Sequence, residues 1–76
     1  MPTFSDYLQV VNEWYRQHSY WRMGQAYFNV LYSQQPEMAD QIRGGVLDPF
    51  YNDRRIPEFL VFVEEHWPRT KPRLWV

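Results

Sequence analysis

A chain of 76 residues without a single cysteine has to hold its fold by side-chain packing alone. Domains this short bury only about 60% of the surface that the unfolded chain exposes, and many rely on disulfides or a structural metal. Disulfides are closed to this sequence, and its two histidines, His18 and His66, stand far apart along it. The remaining resource is aromatic. Four Trp, six Tyr and five Phe make 20% of the chain, and each ring can remove about 150–250 Å² from water. So many rings exceed what one small core encloses. Some are expected at the surface, where Tyr and Trp are typical interface residues. That surplus points to a binding protein; a bulky core in a small protein is the competing explanation.

Charge and hydropathy narrow the class further. Absence of cysteine carries no sign of an oxidising compartment. No basic segment leads into an apolar run at Met1-Pro2-Thr3, so no secretory signal is visible. The longest apolar run, residues 59–63, is far short of the ~18 residues of a membrane span. The expectation is a soluble, cytoplasmic protein with no membrane partner. Net charge is −1 but unevenly spread: residues 1–68 hold five Arg and nine acids, a net of −4. Residues 69–76 hold Arg69, Lys71 and Arg73 with no acid, a net of +3. An acidic body argues against a general nucleic-acid binder, whose affinity comes from neutralising phosphates.

Periodicity predicts an all-α fold, a compact bundle of three to four short helices. Thr3 and Asp6 form a short-armed capping box, and Phe4, Tyr7, Leu8, Val11, Trp14 and Tyr15 recur at helical spacing, giving a first helix over residues 4–17. Ser19 is a candidate N-cap for a second helix running from Tyr20 through Tyr32. Apolar residues surround so much of that helix that it should be central. Gly24 within it costs about 1 kcal/mol relative to Ala, a cost explained by close approach of a neighbouring helix or a Trp ring. Pro36 and Glu37 suit a helix start and Gly44 a helix end, so a third helix spans 36–43 and offers Met38, Ala39 and Ile42 to the core. Residues 45–56 form an irregular loop in which Phe50 can serve as anchor. Pro57 opens a fourth helix with Phe59, Leu60, Phe62 and Val63 inward, and Pro68 ends it. Residues 1–68 thus make a helical domain. Residues 69–76, with two prolines among them, make an extended C-terminal tail.

Catalytic chemistry finds little purchase. No thiol exists, Ser5, Ser19 and Ser33 sit where caps and turns explain them, and Gly44-Gly45 lacks the lysine and spacing of a phosphate loop. His18 and His66 each end a helix, where an imidazolium suits the dipole. Asp48, Asn52 and Asp53 depart from the spacing of a calcium loop and read as turn formers. Asp48 and Asp53 are also placed to form a charged network with Arg54 and Arg55. The expectation is therefore no enzyme, no metal and no cofactor. The candidate partner-binding residues are Trp21, Tyr51, Arg54 and Arg55, with Arg69, Lys71, Arg73 and Trp75 of the tail. Basic and aromatic residues on a stiffened tail suit a partner's groove or single-stranded nucleic acid; alternatively Trp75 folds back on the chain's own core.

The segment Trp21-Arg22-Met23-Gly24-Gln25-Ala26-Tyr27-Phe28-Asn29, with Ile42-Arg43-Gly44, Asp48-Pro49-Phe50-Tyr51 and Arg55-Ile56-Pro57-Glu58-Phe59-Leu60, resembles a group of short reading frames of tailed bacteriophages. In these a WRxGQxYFN segment precedes IRG, DPFY and RIPxFL segments. The resemblance spans about residues 21–67 and brings no activity and no catalytic residues. It implies a phage accessory protein made inside a bacterium, where small proteins often bind and redirect host or defence components. The leading expectation is a protein that binds a host or phage protein partner. Nucleic-acid binding through the tail and a structural homo-oligomer are the alternatives.

Overall fold

Thr3 begins the fold as its side chain requires. Its Oγ1 accepts from the Asp6 N–H at 3.1 Å, and an Asp6 carboxylate oxygen accepts from the Thr3 N–H at 3.0 Å. This reciprocal cap satisfies two of the amides that every helix start leaves open. In the computed structural model, which describes residues 3–68, it launches α1, Phe4–Gln17. Three further α-helices follow: α2 over Met23–Gln34, α3 over Pro36–Ile42 and α4 over Ile56–His66. A 3-10 turn, Asp53–Arg55, leads into α4. The described residues contain no strand, and none of their helices is long and apolar enough to cross a membrane.

The expected second helix starts three residues late. The Trp21 N–H donates to the His18 carbonyl at 2.9 Å, so Ser19 and Tyr20 are spent on a turn rather than a cap. Arg22 stands at the N-cap position instead, and the Gln25 side chain caps its N–H at 3.0 Å. In α3 the local signals act as read: Pro36 sits in the first turn, Met38, Ala39 and Ile42 are buried, and Gly44 takes a left-handed φ of 75° just beyond the end. The fourth helix begins one residue before Pro57, on the back of the 3-10 turn.

The core gathers around α2, which packs against α1, α3 and the 3-10 turn. Tyr7 and Val11 of α1, Ala26 and Leu31 of α2, Ala39 of α3 and Phe59 and Val63 of α4 are fully buried. Trp67 closes the open end. Its ring lies 5.3 Å from Tyr7 and 6.0 Å from Phe4, tying the end of α4 to the start of α1. The Tyr7 hydroxyl inside this cluster donates to the Tyr27 carbonyl at 2.7 Å, so its one polar atom is satisfied. Burial first, and the neighbouring Tyr27 second, raise the Tyr7 pKa far above its ordinary value of 10.0.

Both histidines end helices, as their positions implied. His18 stacks on Trp14 at 4.3 Å and His66 on Phe62 at 4.1 Å. In each case Nδ1 also meets the carbonyl of the residue four positions earlier, at 3.1 Å and 2.9 Å. The same ring-to-carbonyl contact thus recurs at the ends of α1 and α4, and at Trp14 it adds to the bond that the His18 backbone N–H already makes to that carbonyl at 2.9 Å.

Candidate functional site

The irregular loop 45–56 is held on α2 by side chains that bond to backbone. An Asp53 carboxylate oxygen accepts from the Gly24 N–H at 3.0 Å. The Arg22 guanidinium donates to the Phe50 carbonyl and lies 3.9 Å from Asp53. Asp48 uses both its oxygens, one for the Gly44 N–H at 2.7 Å and one for the Phe50 N–H at 2.9 Å. Arg55 reaches across the loop and donates to the Gly45 carbonyl at 2.8 Å. The expected charge network of Arg54 and Arg55 with Asp48 and Asp53 does not form. Both carboxylates are taken by backbone amides, and the ion pair of Asp53 is with Arg22. Asp48→Ala should therefore loosen the loop, costing about 2 kcal/mol for two amides left without acceptors, measurable as a lower urea midpoint. An unchanged midpoint would mean that water replaces the carboxylate without loss.

Gly24 meets this loop, not a helix or a Trp ring as expected. A Cβ at position 24 would run into the Pro49 backbone carbonyl and come within 2.8 Å of the Asp53 carboxylate. Pro49 is itself buried. Only glycine lets the loop lie this close to α2.

Latching the loop leaves an open cleft of about 770 Å³ between it, α2 and the end of α3. Phe28, Asn29 and Tyr32 of α2 form one wall, Arg43 to Gly45 another, and Asp48, Phe50, Tyr51, Asn52 and Arg55 of the loop the third. Phe28 and Phe50 meet edge to face at 6.0 Å. Tyr51 stands edge-on to Phe50 at 4.8 Å and is 83% exposed. The Arg43 guanidinium lies over the Tyr32 ring at 4.9 Å and the Phe28 ring at 5.5 Å, and it also pairs with Asp40 at 3.2 Å. The Asn29 amide makes no hydrogen bond to the described residues. Such a wall offers ring faces, guanidinium donors and a free amide, which is chemistry for recognition. Among the described residues no cluster of three or more His, Asp or Glu side chains gathers where a metal ion could sit.

The four segments quoted for the resemblance, from the WRMGQAYFN, IRG, DPFY and RIPEFL stretches, all contribute to this cleft or to the bonds that latch it. Of the residues singled out in the sequence, Tyr51 and Arg55 come together here. Arg55 does so partly as a structural strut. Arg54 is exposed on the 3-10 turn, outside the cleft wall. Trp21 belongs to a different surface, a ring cluster with Trp14 at 5.8 Å, His18 at 5.3 Å and Tyr20 at 6.3 Å. Arg69, Lys71, Arg73 and Trp75 lie outside the described residues, as does the expected extended tail. The residues that sequence reasoning missed are Asn29, Tyr32 and Arg43. Tyr32 follows Phe28 by one helical turn and so shares its face, but nothing local announces that Arg43 would lie across it.

The fold and the cleft together define a small all-α protein with an open cleft lined by arginine and aromatic side chains. Compared with models of protein families, with curated proteins and with solved structures, the chain has no significant match.

Proposed function

We propose that this protein works by binding a protein partner, and that the arginine–aromatic cleft is the contact surface. The observation that carries the reading is the arrangement of Tyr32, Arg43, Phe50 and Tyr51 around an open cavity of about 770 Å³. Tyr and Arg are enriched among interface residues that dominate binding energy. Tyr51 and Tyr32 are exposed although the core has already been completed without them. Following the phage resemblance, the partner is a host or defence component in a bacterial cell, which the protein inhibits or redirects.

The test compares tagged wild-type protein with Tyr51→Ala and Tyr32→Ala after expression in a bacterial host, with mass spectrometry of what co-purifies. One stoichiometric protein is expected, with recovery reduced about tenfold or more in the variants, as befits loss of an anchor worth at least 1.4 kcal/mol. Helical circular dichroism should be unchanged, because both rings are largely outside the core. Equal recovery of the partner by all three proteins would remove the cleft from the interface.

A further inference from the structure

We infer that the cleft takes an acidic segment of its partner, one whose carboxylates meet the arginines while an aromatic or apolar side chain lies against Tyr32 and Phe50. This rests on the protein-binding reading and adds the chemistry of the partner. The described body is acidic, with five arginines against nine acids. Yet four of those arginines, Arg22, Arg43, Arg54 and Arg55, collect around the loop and the cleft, and only Arg16 stands elsewhere.

Local acids do not cancel them all. Both oxygens of Asp48 accept from backbone amides, and Asp53 accepts from the Gly24 amide and pairs with Arg22. Asp40 pairs with Arg43 alone. Arg54 and Arg55 have no ion pair among the described residues, Arg55 bonding only to a carbonyl. Guanidinium groups in this state favour carboxylates that approach in their plane. Elsewhere the body would repel an acidic partner, so the charge pattern directs such a segment to this face.

The shape favours a peptide segment over a small molecule. Ligand pockets usually surround most of a small ligand, whereas this cleft is open and Tyr51 stands on its rim in water. An exposed rim ring suits a chain that continues past the cleft on both sides.

The full-length protein, immobilised, can be panned against a random dodecapeptide library displayed on a carrier. Enriched peptides should carry two or more Asp or Glu residues beside an aromatic. Their binding should fall about tenfold or more in Arg43→Ala, and should weaken as salt rises. Enriched peptides that are neutral or basic, yet still lost in Tyr51→Ala, would overturn the acidic segment and leave protein binding in place. Absence of enrichment, together with no partner recovered from cells, would overturn both. Self-association that Arg43→Ala abolishes, seen by sedimentation, would make a second copy the occupant and so overturn the acidic partner. Arg43-dependent binding of a labelled single-stranded oligonucleotide would overturn it too.

Discussion

Gly24→Ala is expected to destabilise the protein by about 3 kcal/mol, the scale of forcing extra volume into a packed contact. Helix propensity alone predicts the opposite sign, since Ala is favoured over Gly by about 1 kcal/mol inside a helix. The contact should win. A methyl at position 24 meets the Pro49 carbonyl, which is backbone, and the Asp53 carboxylate, whose place is set by its bond to the Gly24 amide. Neither can swing aside as the tip of a long side chain would. The loop must lift from α2, and the Arg22 and Asp53 latches should break with it. Urea unfolding would report the loss. Tyr51→Ala serves as a reference, because its ring is exposed and its stability should stay within about 0.5 kcal/mol of wild type. A Gly24→Ala protein more stable than wild type would show that the loop does not lie against α2.

Tyr7 should be the most sensitive position in the core. Its ring touches Phe4, Tyr27 and Trp67 and is fully buried, so Tyr7→Ala should cost about 3–5 kcal/mol. Total stabilities of small domains begin near 5 kcal/mol, so that variant should keep at most about 2 kcal/mol and be partly unfolded at room temperature. Tyr7→Phe keeps the ring and loses only the bond to the Tyr27 carbonyl, a cost of about 1 kcal/mol. The two variants also separate a pH effect. The folded Tyr7 hydroxyl titrates above the unfolded one, so the folded state holds a proton that the unfolded chain releases. The resulting stability is complete below the ordinary value of 10.0 and declines as pH rises beyond it. The slope is about 1.4 kcal/mol per pH unit. Stability of wild type should therefore fall more steeply above pH 10 than that of Tyr7→Phe, by urea titration at stepped pH. Parallel slopes would mean that the hydroxyl reaches water.

Much of the helical framework is legible in the residues because its signals are local. Thr3 and Asp6 meet across one helical turn, Pro36 and Gly44 bracket α3 by their own backbone preferences, and the spacing of Tyr7 and Val11 marks the inner face of α1. The start of α2 is also local but was decided by competition. Ser19 offers a cap, and so does Gln25 acting back on Arg22. The turn bond from Trp21 to His18, with Trp21 lying against Trp14 and His18, favours the later start.

By itself the sequence determined an all-α chain, the bounds of α1, the buried face of α3 and the excess of aromatic rings over core space. It also marked Gly24 as a place of close approach, though not what approaches. Tertiary structure alone decided that the loop from Gly45 onward lies on α2, that Arg43 covers Tyr32, and that Tyr51 and Arg55 share a cleft while Trp21 does not. The reason is physical. Caps and periodicity act over three or four residues, whereas the bonds that build the cleft join Arg22 to Phe50 and Gly24 to Asp53, 28 and 29 positions apart. Contacts at that separation depend on how whole helices pack, and no short stretch of side chains encodes them.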